Sequence, residues 1–215
     1  MTGPSLDRIV ALVPVRSLSG AKSRLGEPLD AEERADLILA LLRRTVEQAL
    51  QATRLTDVVV VSMDTDLVRR VGSMGAASFL QRSEGLNEGL AESRTAAGAG
   101  ATAVMVLPAD LPGVTSSAID QLAETAEVAL SRWPTRPVVA LVPDQHGTGT
   151  NALLIAPPDA IPFSFGEDSR AAHAAAARSA GATYVELDGP LAFDLDTPDD
   201  LLEADMRGLD HEAGR

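Results

Sequence analysis

The sequence predicts an α/β fold built on a mixed, mainly parallel sheet, and three observations carry that expectation. Short runs rich in valine and leucine alternate with longer stretches of helical period along the whole chain. Several of the runs, such as residues 9–15 and 103–107, are apolar almost throughout, as buried strands are. A length of 215 residues with 45% hydrophobic content and no break in composition predicts a single domain over residues 1–206, followed by a frayed tail at 207–215.

Taken in order, residues 9–15 form the first strand. Residues 30–52 form a helix that Asp30 opens, with Glu33 completing a capping-box pattern. Residues 57–62 are the second strand, 64–74 a helix and 77–80 a short strand. Residues 87–99 make a weaker helix that runs into the glycine-rich 98–100. The strand at 103–107 leads directly into Pro108-Ala109-Asp110-Leu111-Pro112-Gly113, after which Ser116 or Ser117 caps a helix reaching about Leu130. Residues 138–143 and 152–156 read as paired strands joined by the turn 144–151. Asp168 or Ser169 opens an alanine-rich helix to Gly181, 184–187 is a strand, and Thr197-Pro198 starts the last helix with proline at its first position. Trp133, beside Pro134, reads as a packing residue.

Charge and composition exclude several classes of function. A net charge of -13 and a pI near 4.6 oppose binding to a nucleic-acid polyanion, and 3% aromatic residues leave few stacking platforms. Zero cysteines exclude disulfides, thiolate metal sites and a thiol nucleophile, in keeping with a cytoplasmic address. Residues 1–7 have no basic leader and the apolar run 9–15 is too short for a signal core or a span, so neither export nor a membrane is expected. His146, His173 and His211 lack metal-ligand spacing, and nothing supports a Ser/His/Asp triad.

Three segments that follow predicted strands carry chemistry, because ligands of open α/β sheets lie beyond the carboxyl ends of the strands. Residues 14–24 hold Lys22, the only lysine among seventeen arginines, with Arg16 and Arg24 and with glycine and serine to free backbone amides. A compact ammonium kept where arginine is otherwise the rule suits a polyphosphate, although the Walker spacing is absent. Asp110, pinned between Pro108 and Pro112, is either a hard oxygen ligand for Mg²⁺ or a turn aspartate. In Phe193-Asp194-Leu195-Asp196-Thr197-Pro198, alternation points Asp194 and Asp196 to one side, where either could share an ion with Asp110, while Thr197 and Asp200 cap the helix. Two further segments, 147–151 and 165–170, are rich in glycine and hydroxyls and suit a second phosphate.

Assembled in order, Pro14-Val15-Arg16, Ala21-Lys22-Ser23-Arg24-Leu25, Gly85-Leu86-Asn87, Pro108-Ala109-Asp110-Leu111-Pro112, Gly149-Thr150-Asn151-Ala152-Leu153, Phe165-Gly166 with Asp168-Ser169, and Asp194-Leu195-Asp196-Thr197-Pro198 cover most of the chain. The set resembles the guanylyltransferases of the deazaflavin coenzyme F-420 pathway, the CofC/FbiD type. It lacks the Gly-Gly signature of sugar-phosphate nucleotidyltransferases. The resemblance implies a three-layer, nucleotide-diphosphosugar transferase-like (GT-A-like) sandwich. It implies transfer of GMP from GTP to phosphoenolpyruvate with release of pyrophosphate, or the same transfer to 2-phospho-L-lactate or 3-phosphoglycerate. By the same carry-over, Lys22, Asp110 and Asp196 are catalytic, and Asp110 and Asp196 bind Mg²⁺. Arg16, Lys22, Arg24, Leu86 and Asn87 face the nucleotide, and Thr150, Gly166 and Ser169 hold the acid, with Arg170 as a weaker candidate. A downstream transferase that accepts the product is a further expected partner.

Two rival readings stand beside this one. The first is another nucleotidyltransferase of the same fold with a different acceptor, and the second is a noncatalytic nucleotide-binding module in which the acids are only caps. No residue type in the chain reads guanine uniquely.

Overall fold

The structure, a computed structural model, describes residues 5–15 and 29–206, the last two through their backbone alone. Seven strands form one sheet in the order β3-β2-β1-β4-β6-β5-β7. They are β1 (Ile9–Pro14), β2 (Leu55–Ser62), β3 (Ala77–Leu80), β4 (Ala103–Val106), β5 (Val138–Pro143), β6 (Thr150–Ala156) and β7 (Thr183–Glu186). All neighbouring pairs are parallel except the two that β6 makes with β4 and β5. The carboxyl ends of the other strands and the amino end of β6 therefore share one edge.

Alternation along the strands sorts the core into two layers. Ile9, Ala11, Val13, Val60, Met105, Ala140 and Leu154 face one way, onto Leu42 and Val46 of α1 (Ala31–Gln51), Leu67 of α2 (Thr65–Val71) and Ile119 and Leu122 of α4 (Ser116–Arg132). Val10, Leu12, Val61, Val106, Leu141 and Ile155 face the other, onto Leu90 of α3 (Leu86–Ala97) and Ala177 of α5 (Ser169–Ser179). Both faces are covered, which is why these strands read as continuous apolar runs rather than as alternating ones. The result is the three-layer α/β sandwich expected from the sequence. A small satellite cluster of Phe193, Leu195 and Ala204 seats α6 (Pro198–Met206).

The helix starts follow capping chemistry. The Asp30 carboxylate accepts from the amides of Glu32 at 2.8 Å and Glu33 at 2.9 Å, while Glu33 accepts from the Asp30 amide at 2.8 Å, completing the predicted capping box. At α4 the cap is Thr115, whose hydroxyl accepts from the Ala118 amide, rather than Ser116 or Ser117; those serines already have helical backbone and Thr115 is extended. Asp168 precedes α5 in a left-handed conformation, φ 53°, and makes no side-chain cap. Asp168 thus opens the helix by position, as expected, but without a side-chain capping bond.

Three other differences have local causes. β6 begins at Thr150, so Thr150 and Asn151 belong to a strand and not to the preceding turn; pairing of Thr150 with Pro143 extends the ladder into the glycine-containing segment. A 3₁₀ turn at Pro190–Ala192, short and proline-initiated, has no periodic signal to announce it. Trp133 is half exposed, 46%, with the Arg136 guanidinium 5.1 Å from its ring, so it is a surface residue and not a packing one.

Candidate active site

The sheet changes direction of growth at β1: β2 lies on one side of it and β4 on the other. A crevice outside the carboxyl ends at such a point is where open α/β sheets bind ligands. Val15 leaves β1 there, hydrogen-bonded to the Val61 carbonyl at 2.9 Å, and Leu107 leaves β4 beside it, bonded to the Leu12 carbonyl at 3.0 Å. The two loops singled out in the sequence thus start from adjacent parallel strands. Arg16, Lys22 and Arg24 themselves lie outside the described residues.

Asp110 stands just beyond β4, and its loop is tied to the C-terminal segment. Its carbonyl accepts from the Leu195 amide at 3.0 Å. Gly113 packs so closely on the 3₁₀ turn that a Cβ there would sit 2.6 Å from the Pro190 carbonyl oxygen, which explains why this position is a glycine. Beyond that turn Phe193 and Leu195 are buried while Asp194 is half-buried and Asp196 exposed, the alternation expected of an extended segment.

The structure brings the acidic residues into one electrostatic neighbourhood. Burial pushes the Asp194 carboxyl up to about 6; a hydrogen bond from Asn151 opposes the rise, and the charges of Asp110 and Asp196 add to it. The Asn151 amide donates to Asp194 Oδ1 at 3.2 Å and to the Ala192 carbonyl at 2.9 Å, so the first residues of β6 hold the segment that presents the acids. Asp200 anchors it from the other end, accepting from Asp196 N at 3.1 Å, Thr197 N and Thr197 Oγ1 at 2.7 Å each, and Gln145 Nε2 at 2.9 Å. Burial works against the charge of Asp200, but these donors outweigh it and keep the carboxyl below the usual range.

Among the described residues no three His, Cys, Asp or Glu side chains meet as a ready-made metal cluster. Mg²⁺ itself takes one or two carboxylates and completes its shell with water and substrate phosphates. The mutual repulsion felt at Asp194 is what a divalent ion would relieve. Asp110 and Asp196 therefore suit the ion on chemical grounds.

The predicted acid-binding residues gather beside this centre. Thr150 pairs with the end of β5 at the same sheet edge, 8% exposed, and Ser169 is buried at the first turn of α5. Gly166 has φ 128°, a backbone conformation reserved for glycine, with open space where a side chain would stand. The segment that carries it is clamped at two points from α3. Asn87 donates to the Phe165 carbonyl at 3.0 Å and accepts from the Phe165 amide at 2.8 Å, and Arg94 donates to the carbonyls of Pro158 and Ile161 at 3.1 and 3.0 Å. Leu86 packs against the apolar layer beneath. In this structure the Asn87 side chain is bonded to the backbone of Phe165, next to Gly166.

Two readings of the hairpin side take a different form. The turn 147–149 closes on an acid, with Asp144 Oδ1 accepting from Thr148 N at 2.8 Å. The Arg170 guanidinium is held by Glu186, at 2.9 and 2.7 Å, and by the Gly147 carbonyl at 2.9 Å. A hollow of about 440 Å³ opens beside them, but Asp144, Glu186 and Asp188 rim it, so it repels an anion.

Comparison with known proteins now adds the chemistry class. Residues 9–214 match the family described as Guanylyl transferase CofC like. The chain belongs to this family. A phosphoenolpyruvate guanylyltransferase from Rubrobacter xylanophilus is 42% identical over 202 residues, spanning 93% of this chain and 95% of the relative. One from Sphaerobacter thermophilus is 44% identical over 197 residues, spanning 90% and 91%. Among solved structures, CMP:2-keto-3-deoxy-manno-octonic acid synthetase complexed with CTP superposes with a TM-score of 0.61 at 19% identity, covering 95% of this chain and 99% of that one. A Desulfovibrio desulfuricans G20 protein provisionally described as a nucleotide-diphospho-sugar transferase gives 0.64 at 20%, covering 90% and 84%. These likenesses establish the nucleotide-diphosphosugar transferase-like fold. Membership of the family makes the protein a nucleotidyltransferase of the guanylyl-transferring kind, and no helix among the described residues is long and apolar enough to cross a membrane.

His173 and Asn151 carry more of the site than the sequence suggested. Histidine spacing carries no metal pattern, whereas the signal that places His173 is its position one helical turn after Ser169. Asn151 stood within the Gly-Thr-Asn motif, but only the fold sets it against Asp194.

Proposed function

We propose that the protein transfers GMP from GTP to phosphoenolpyruvate, giving enolpyruvyl-diphosphoguanosine and pyrophosphate, as a step of coenzyme F-420 biosynthesis. A phosphate oxygen of phosphoenolpyruvate attacks the α-phosphorus of GTP, a P–O bond forms there, and the bond to the β-phosphate bridging oxygen breaks as pyrophosphate leaves. The single observation that carries this reading is the convergence, at one sheet edge, of the Asp110, Asp194 and Asp196 acids with the Thr150–Gly166–Ser169 side, in a chain more than 40% identical to two phosphoenolpyruvate guanylyltransferases.

The chemistry asks little of acids and bases. With a second pKa of about 6, a phosphomonoester already offers an ionised oxygen at neutral pH. What the residues must do is align two anions against their repulsion. Asp110 and Asp196 would hold Mg²⁺, which supplies charge neutralisation on the α-phosphate and the departing pyrophosphate when bound. Thr150, Ser169 and the open backbone at Gly166 orient the acid. Lys22, Arg16 and Arg24, outside the described residues, keep their assignment to the triphosphate from their motif alone. A transferase that consumes the guanylated product is the natural partner.

A pyrophosphate-release panel tests the whole reading. GTP, ATP and CTP are crossed with phosphoenolpyruvate, 2-phospho-L-lactate and 3-phosphoglycerate, each with Mg²⁺ and with chelator. Release confined to GTP, phosphoenolpyruvate and Mg²⁺ is expected. Preference for another base or acid, or release in chelator, refutes the corresponding part.

A further inference from the structure

Resting on the reading of Thr150 as an acceptor contact, we infer that His173 is a positioning residue that aims the Thr150 hydroxyl, turning its proton away from the protein interior so that Thr150 donates to an anionic oxygen of the phosphorylated acid. The imidazole is completely buried on α5. Both ring nitrogens are engaged, and each contact restricts the other.

The Ser164 amide nitrogen lies 3.0 Å from Nε2. An amide N–H can only donate, so Nε2 accepts and carries no proton, and in a neutral ring the proton sits on Nδ1. Nδ1 faces Thr150 Oγ1 at 3.1 Å. Against a protonated Nδ1 that oxygen can only accept, whichever other acceptor shares the N–H. The hydroxyl proton of Thr150 is therefore left for a partner elsewhere, and Thr150 keeps 8% of its surface open to reach one. Protonating the ring would set an N–H on Nε2 against the Ser164 N–H, two donors face to face. Burial guards against this, pulling the ring down to about 4 despite the nearby Ser169 carbonyl.

The same side chain also steers the loop that bears Gly166. Its ring meets Phe165 edge-on, with centroids 5.1 Å apart and planes at 71°, while Asn87 fixes the Phe165 backbone from the other side. One residue of α5 thus couples the first residue of β6 to the loop opposite.

Two substitutions separate the contacts. His173→Gln can keep an acceptor near the Nε2 position and loses the donor to Thr150; His173→Asn can keep a donor near Nδ1 and abandons the Ser164 amide. With His173→Gln the KM for phosphoenolpyruvate rises about tenfold, while the KM for GTP and kcat at saturating acid stay within about twofold, as loss of one oriented hydrogen bond predicts. Thr150→Val gives the same rise, and the double variant adds nothing further. His173→Asn lowers the melting temperature and leaves the acid KM within about threefold of wild type, because the lost bond is not the one that orients Thr150. An unchanged acid KM in His173→Gln, alongside a raised one in Thr150→Val, overturns the inference and spares the functional reading. An unchanged KM in Thr150→Val sinks the assignment of Thr150 itself, and the inference with it. Independently of any variant, two-bond ¹⁵N–¹H correlation on histidine-labelled protein, which has only three histidines, reads the tautomer. A neutral Nδ1–H ring is expected from about pH 6 to 8; an Nε2–H ring or an imidazolium overturns the inference.

Discussion

Asn151 holds Asp194: its side-chain amide donates to Oδ1 at 3.2 Å while bonding the Ala192 carbonyl at 2.9 Å. A strand residue thereby sets the height of the acid-bearing segment against Asp110. Asn151→Ala removes both bonds, leaves the Ala192 carbonyl without this donor and lets the segment shift. Turnover falls by about tenfold or more and the Mg²⁺ concentration for half-maximal rate rises, in the range typical of residues that support metal ligands. Mg²⁺ titrations of pyrophosphate release check this, and an unchanged titration curve rejects it.

Asp110→Asn and Asp196→Asn each lower kcat by about a hundredfold, as does Lys22→Ala, the scale of losing one electrostatic stabiliser of the transition state. Circular dichroism should remain that of wild type. Turnover close to wild type in a purified variant removes that residue from the mechanism.

The buried histidine makes a pH prediction with a definite sign. Its folded-state value of about 4 lies below the ordinary 6.5, so the unfolded chain takes up the proton first as pH falls. The stability that the neutral ring contributes is complete above pH 6.5 and is lost progressively down to about 4. The stability gap between wild type and His173→Gln therefore shrinks on acidification, by on the order of 3 kcal/mol in total for a shift of this size. Urea unfolding of both proteins across that window measures it; a constant gap contradicts a depressed histidine.

Gly113→Ala forces a methyl group to 2.6 Å from the Pro190 carbonyl, so backbone must move on one side. A loss of about 1–3 kcal/mol is expected, with activity falling alongside because residues 190–196 carry two of the acids. Gly72→Ala is the control: nothing lies within 4 Å and its φ is -55° in the right-handed region. It should be neutral or stabilise by up to about 1 kcal/mol. Thermal melts compare the two.

Arg170→Ala should change the KM for the acid by less than about threefold, since its guanidinium is spent on Glu186 in a partly exposed pair. A tenfold rise would mean that Arg170 leaves Glu186 for the substrate.

Most of the architecture was legible in the sequence because the central strands are apolar on both faces and most helix starts carry a capping residue, as Asp30 and Asp64 show. The residue at which β6 begins was not, since Thr150 and Asn151 sit in a glycine- and hydroxyl-rich stretch whose local chemistry says turn, and only pairing with β5 makes them strand. At the site, Asp110, Asp194 and Asp196 were readable as acids following strands or preceding a helix. Their support was not: Gly113 meets Pro190, and His173 meets Thr150, across separations that no local pattern encodes. Arg170 was legible as a cation at a helix start, but its capture by Glu186 depends on β7 lying alongside.

The reversal of β6 has a consequence for where the two sides of the proposed site come from. Strands β1 and β4 run together, so Val15 and Asp110 leave the sheet at the same rim. The backwards strand enters from a hairpin instead and delivers Thr150, the proposed acceptor contact, at its first step. Thr150 thus reaches the rim from a hairpin tip, while Gly166 and Ser169 reach it along the chain that leaves the far end of the same strand, so an exchange of that tip alone would alter one of the three proposed acid contacts and leave the other two in place.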